Sequence, residues 1–276
     1  MTEPDAPAGP TVAKVFDTIA GEYDQSGVAF FRPVAGRLVE HLRPTTGEHA
    51  LDIGCGRGAA TIPLAEAVGD EGTVDAVDIS PAMVRATRQL IAEHSLRQVT
   101  VEVADAAGLT GLPRTSYDLI ASSLVLFFLA EPATVLRGWI DLLRPGGRIG
   151  LTTFGELDEP SRAIDALLTP YQPPGLRDPR TTGTAGPFSS DQGMEDLFAR
   201  AGASDIVTFV EPVTLDFPDA AAWQRFSMST GQRAMWQNVP ADERPGVVSR
   251  AGEILAGTGG SGGRLVWQMR YTLGRR

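Results

Sequence analysis

The chain has 276 residues, 42% of them hydrophobic and 21% charged, a balance that builds a buried core and excludes a disordered or fibrous protein. Its net charge of −10, with no basic arm or helix, argues against nucleic acid as a partner, because phosphate binding needs a basic footprint. One cysteine, Cys55, excludes an internal disulfide and a multi-cysteine metal site; residues 1–10 lack the basic flank and apolar run of a signal peptide, so a cytoplasmic location is expected.

In chain order, residues 1–10 read as a loose tail. Helical spacing follows at 12–20, with Val12, Val15, Phe16 and Ile19 on one face, and at 28–42, with Val34, Leu38 and Leu42 on another. A strand at 49–53 runs into a glycine-rich turn, from which a helix opens near Ala59 and stops at Gly69. The next strand, 73–77, ends at Asp78. Ser80 then has the position of an N-cap with Pro81 first in the helix, and Met83, Val84, Leu90 and Ile91 form its buried stripe. Strands at 99–103 and 117–122 follow, then a short helix at 134–143 and, after the turn Pro145-Gly146-Gly147, a strand at 148–154. Alternating β and α with short connections predicts a parallel sheet covered on both faces. The apolar run 119–130 is interrupted by Ser122 and Ser123 and is too short for a bilayer, so it reads as a doubly buried strand and the helix behind it, with no membrane role.

The second half is patterned differently. Residues 170–187 are rich in proline and glycine and form a long loop, either a lid over a site or a merely mobile connection. Ser189 or Ser190 caps a helix with Met194, Leu197, Phe198 and Ala201 inward, ended by Gly202. A strand at 206–215, helical pieces at 219–236 and 241–256, a turn at 257–263 and a last strand at 265–273 complete the chain.

The strongest chemical signal is Leu51-Asp52-Ile53-Gly54-Cys55-Gly56-Arg57-Gly58 at the end of the first strand, where open parallel sheets bind ligands. Its glycines permit positive φ and let a ligand press on the backbone, and Asp52 can pair with a cationic amine. By itself the turn is ambiguous: Gly54-x-Gly56-x-x-Ala59 with Asp78 beyond it also satisfies a permissive dinucleotide fingerprint, as in a nicotinamide-dependent oxidoreductase.

Further stretches stand in order around it: Phe16-Asp17-x-Ile19-Ala20-x-x-Tyr23-Asp24, Val77-Asp78-Ile79-Ser80-Pro81-x-Met83, Ala104-Asp105-Ala106 and Leu143-Arg144-Pro145-Gly146-Gly147. Together they resemble the class I S-adenosylmethionine (SAM)-dependent methyltransferases, in the branch that includes the ubiquinone and menaquinone C-methyltransferases and many natural-product enzymes. The resemblance covers roughly residues 12–155. It implies an α/β Rossmann-like fold: a doubly wound, seven-stranded, mainly parallel sheet with the last strand antiparallel and a helical cap. It implies three parts: an N-terminal helical segment (1–47) over the cofactor, a SAM-binding core (48–155), and remaining strands with the substrate cap and lid loop (156–276).

The resemblance also implies roles. Asp52 and the backbone of Gly54, Cys55 and Gly56 hold the methionine end of SAM, with Tyr23 reaching over it. Asp78 takes the ribose hydroxyls, Ile79 and Met83 flank the adenine, Asp105 and Ala106 read its edge, and Ser122 lies near the sulfonium. Plainer readings stand beside these: Met83 as core, Tyr23 as a packed aromatic, Asp105 as a turn residue. The thinner resemblance beyond residue 155 includes Ser227-x-Ser229-x-Gly231-x-Arg233-x-x-Trp236. Trp223, Phe226 and Trp236, with Arg233 beside them, either wall an apolar substrate pocket or hold the cap to the core; Phe127, Phe154, Tyr171 and Phe188 are further pocket candidates.

Methyl transfer from a sulfonium is an in-line displacement that depends mostly on positioning. His41, His49 and His94 all fall away from the expected pocket, which disfavours a histidine-assisted phenol methylation and leans toward carbon or nitrogen. No catalytic base and no metal is assigned. The expected partner is a small, largely apolar metabolite of specialised biosynthesis, with homo-oligomerisation left open. The alternative on the same fold is a SAM-binding protein that performs a non-methylating reaction such as cyclisation.

Overall fold

The computed structural model describes residues 12–109, 111–112, 115–174, 186–259 and 262–276. The chain opens with α1 (Val12–Ile19) and α2 (Phe31–Leu42), the latter burying Val34, Leu38 and Leu42 as their spacing predicts. β1 (His49–Ile53) is buried from Ala50 onward, as a central strand covered on both faces must be, and leads through the glycine turn into α3 (Thr61–Val68). After β2 (Thr73–Asp78), α4 (Pro81–Glu93) starts where Ser80 caps it: the Ser80 hydroxyl accepts from the Met83 N–H at 3.2 Å. β3 (Val99–Val103), β4 (Tyr117–Ser123), α5 (Pro132–Ile140) and β5 (Leu143–Leu157) complete the first half.

The second half adds α6 (Glu159–Leu168), α7 (Asp191–Ala201), β6 (Ser204–Asp216), α8 (Ala220–Met228), α9 (Arg233–Asn238), α10 (Arg244–Ala256) and β7 (Arg264–Arg275). α6 is absent from the sequence expectation although its start carries a cap, Asp158 accepting from the Ser161 N–H at 2.9 Å. The single helical piece expected at 219–236 is two helices, α8 and α9, around a hydrogen-bonded turn. Most of the proposed lid loop, residues 175–185, lies outside the described residues.

The seven strands lie in the order β3-β2-β1-β4-β5-β7-β6. The first five run parallel, and β7 is antiparallel to both of its neighbours, β5 and β6. One face is covered by α2, α3 and the cap helices α6, α8, α9 and α10; the other carries a core of α5 and α7 around Trp139 and Phe198. The order reverses between β1 and β4, so their outgoing loops diverge and open a crevice at the carboxyl end of the sheet. Among the described residues no helix is long and apolar enough to cross a membrane, and no cluster of His, Cys, Asp or Glu could hold a metal ion.

Candidate cofactor and substrate site

The turn after β1 is shaped by its glycines. Gly54, Gly56 and Gly58 have φ of 76°, 53° and 82°, and a Cβ on Gly54 would lie 2.2 Å from Cγ2 of Val125. Four of its amides are already engaged. The N–H groups of Gly54 and Cys55 donate to the Val77 carbonyl at 2.8 and 2.9 Å, that of Gly56 to Oδ2 of Asp78 at 2.9 Å, and that of Gly58 to the Cys55 carbonyl at 2.8 Å. A phosphate-binding turn aims free N–H groups at its ligand. Four of this turn's N–H groups point inward instead, which weakens the physical support for a dinucleotide.

What it offers instead is negative charge. Asp52 is 1% exposed, its Oδ2 accepting from the Thr61 hydroxyl at 2.6 Å. Burial, reinforced by the nearby Asp78 and opposed by the Thr61 hydrogen bond, lifts its pKa to about 7. Asp52, Tyr23, Asp24, Cys55, Arg57 and Ser123 line a recess of about 400 Å³. The Cys55 side chain itself packs into a small core with Ala76, Val84 and Val101, and burial pushes its thiol pKa up, so only its main chain is available to a ligand.

The recess joins a cleft of about 720 Å³ through the shared walls Tyr23, Gly54, Gly56 and Ser123. Asp78 stands in this cleft, accepting from the Gly56 N–H on Oδ2 and from the Ser80 N–H on Oδ1, both at 2.9 Å; burial still raises its pKa above the usual value. Ile79, Met83, Asp105 and Ala106 line the same cleft. Met83 also packs with Ile19 and Ala20, so it is core and wall together. Oδ1 of Asp105 accepts from the Ala107 N–H at 2.9 Å, and the Ala106 carbonyl accepts from the Trp139 indole at 2.8 Å, which pins this loop.

One expected wall is misplaced. The Ser122 hydroxyl is buried and donates to the Ile53 carbonyl at 2.8 Å; its neighbour Ser123 lines both the recess and the cleft. The next residue, Leu124, takes φ of 63°, an uncommon conformation for leucine, and so turns the chain across the crevice.

The N-terminal segment lies over this cleft. Asp17 accepts from the Ser80 hydroxyl at 2.5 Å and the Ala82 N–H at 3.1 Å, tying α1 to the start of α4; these bonds lower its pKa. Tyr23 lies tilted at 30° against Phe31, ring centroids 4.2 Å apart, and meets Phe16 edge-on at 6.0 Å, and burial holds its phenol pKa well above the usual value.

Beyond Tyr23 lies an aromatic cavity of about 500 Å³ walled by Phe30, Phe31, Phe127, Phe154, Phe226 and Trp267. Phe16, Tyr23, Leu124 and Phe128 line both this cavity and the cleft, so the two are neighbours across a shared wall.

A methyltransferase domain family matches residues 50–147. Nocamycin O-methyltransferase of Saccharothrix syringae is 35% identical over 95% of this chain and 97% of its own. The chain is a class I SAM-dependent methyltransferase. An aklanonic acid methyltransferase of Streptomyces sp. strain C5 is 42% identical over 51% of this chain and 64% of its own. The fold is shared with phosphoethanolamine N-methyltransferase 2 of Haemonchus contortus, solved with S-adenosylhomocysteine, at a TM-score of 0.58, 15% identity, and coverage of 98% of this chain and 62% of that one.

In this methyltransferase the cap residues divide. Phe127, Phe154 and Phe226 line the cavity. Phe188 stands behind Phe127 with ring centroids 6.3 Å apart, outside the lining. Trp223 and Trp236 pack on each other at 5.6 Å inside the cap, away from the cavity lining. The Trp236 indole donates to the Ser227 hydroxyl at 2.8 Å, Ser227 donates to Gln232 at 2.5 Å, and Gln232 donates to Asp165 at 2.9 Å. The serine-rich motif is therefore a buried polar turn joining α8 to α9 and α6. Tyr171 hydrogen-bonds Glu243 at the surface, and Arg233 pairs with Glu22 at 2.7 Å, linking the cap to the N-terminal segment; neither lines the cavity. Phe30 and Phe31, at the start of α2, and Trp267, in β7, were missed in the sequence because only the fold brings these two distant elements together. His41 pairs with Glu211 and His49 with Asp75, both outside the cavity and cleft.

Proposed function

We propose that this methyltransferase transfers the methyl group of SAM to a small, largely apolar metabolite of specialised biosynthesis, bound in the aromatic cavity, and that the acceptor atom is an oxygen. The observation that carries the reading is the shared wall between that cavity and the acid-lined cleft. SAM supplies, when bound, a methyl group already activated on a sulfonium. In this reading Asp52 faces the cationic amine, Asp78 the ribose hydroxyls, Ile79 and Met83 the adenine faces, and Asp105 with Ala106 the adenine edge. Phe16, Tyr23 and Phe128 exclude water at the junction and align the acceptor, which must come within about 3–3.5 Å of the methyl carbon.

The histidine positions lean toward carbon or nitrogen; the O-methyltransferase that matches along nearly the whole chain supports oxygen. Tyr23, with its pKa raised by burial, stays a neutral phenol that donates a hydrogen bond and does not act as a base near neutrality. The test incubates the enzyme with SAM and a panel of flat apolar acids, enols and phenols, read by mass spectrometry. A gain of one CH2 on an oxygen, located by NMR, is expected. A product of unchanged mass would replace this reading by cyclisation, and a new C–CH3 or N–CH3 would move the acceptor.

A further inference from the structure

Arg270, in β7, lines neither the cavity nor the cleft, yet it buries a cation beside the cavity wall. Its side chain is 6% exposed, whereas Asp191, the acid it pairs with at the start of α7, is 53% exposed. Its Nε meets Oδ1 of Asp191 at 2.6 Å, and its Nη1 donates to the carbonyls of Phe154 and Phe188, each at 3.0 Å. Burying a guanidinium in this way is weak support for stability, since an apolar side chain of similar volume often serves as well. What the planar fork adds is a fixed geometry for three acceptors on two segments far apart in the chain. Both carbonyls belong to neighbours of Phe127, whose ring lines the cavity and lies 5.6 Å from the Phe154 ring and 6.3 Å from the Phe188 ring. Phe154 also stands where the pairing of β5 with β7 slips: it faces Met269 while Leu157 faces Trp267, so three steps along β5 span two along β7. Such a bulge disrupts the ladder, and Arg270 bonds the main chain at that point.

We infer that Arg270 is a positioning residue of the acceptor cavity: by clamping the main chain at Phe154 and Phe188 it fixes the Phe127 ring, and with it the shape offered to a flat apolar acceptor. The inference rests on the acceptor cavity proposed above. It makes Arg270 a determinant of acceptor affinity and leaves the cofactor contacts untouched.

Titration of the full chain with prodan, an uncharged two-ring fluorophore that brightens in apolar surroundings, tests it. S-adenosylhomocysteine is kept saturating so that the cleft is filled, and calorimetry reads SAM affinity in parallel. Arg270→Lys keeps the charge but not the fork, so it should weaken prodan about tenfold while SAM affinity stays at the wild-type value. In a Phe127→Ala background the ring to be positioned is gone, and Arg270→Lys should then change prodan affinity by less than about twofold. Asp191→Asn is the milder variant should Arg270→Lys not fold; it loosens the guanidinium at Nε alone and should give the same pattern at about threefold. Prodan affinity unchanged by these substitutions would overturn the inference. So would equal weakening with and without the Phe127 ring, or a parallel loss of SAM affinity, since either marks a merely structural role. Wild type that fails to bind prodan would overturn the acceptor cavity itself, and the inference with it.

Discussion

Burial holds the Asp52 carboxyl at a pKa of about 7, whereas an exposed aspartate titrates at 3.8. The folded state binds this proton more tightly than the unfolded one. The stability it contributes is therefore fully present below the unfolded pKa and is lost as pH rises through about 7. A cationic amine beside Asp52 favours the ionised form, so SAM binding at about pH 6 should release a proton and tighten by up to roughly tenfold per pH unit toward neutrality. Calorimetry in two buffers of different ionisation enthalpy reads the release, and Asp52→Asn should abolish it; no release in wild type would separate Asp52 from the amine. Gly54→Ala tests the turn at the same scale. Its methyl would press on Val125, and its φ of 76° lies in the left-handed region. The expected loss is about 2–4 kcal/mol in denaturant unfolding, and Val125→Ala in that background should recover only the packing part.

At the scale of elements, α1 is a short helix tied to the start of α4 by the bonds of Asp17. Asp17→Ala should cost about 1 kcal/mol, the size of a lost helix cap. It should also weaken SAM binding several-fold and speed amide exchange across residues 12–25, as followed by mass spectrometry. Unchanged exchange would mean that Asp17 does not hold the segment. Arg233→Ala removes the pin between the cap and this segment. Because Glu22 is largely exposed, stability should fall by less than about 1 kcal/mol.

Across the whole molecule, the cavity is assembled from the N-terminal segment, the sheet and the cap, so its residues also stabilise the joint between them. Phe226 touches Phe30, Phe217 and Trp267. Phe226→Ala should cost about 3–5 kcal/mol and raise the KM for the acceptor while leaving SAM affinity near wild type. A parallel loss of SAM affinity would place Phe226 with the cofactor instead. S-adenosylhomocysteine at a hundred times its Kd should stabilise the fold by about 2.7 kcal/mol, roughly 5–10 °C in Tm for a chain of this size.

What the sequence determined by itself is local. The glycines after β1, the Ser80 cap with Pro81 behind it, and the alternation of strands and helices each depend on neighbours a few residues away, so their conformation is written in short stretches. That residues such as Gly54, Gly56, Asp78, Ile79, Asp105 and Ala106 share one cleft was legible for the same reason, since they stand at or just beyond the ends of β1, β2 and β3. Tertiary structure alone decided the rest. It chose Ser123 over Ser122, because the Ser122 hydroxyl finds a carbonyl on the neighbouring strand. It turned Trp223 and Trp236 into the cap, because Ser227 offers the Trp236 indole a buried acceptor. It gathered Phe30, Phe154, Phe226 and Trp267 into one wall from positions far apart in the chain. Burial and hydrogen-bond satisfaction are properties of neighbours in space, and spacing along the chain carries no record of them.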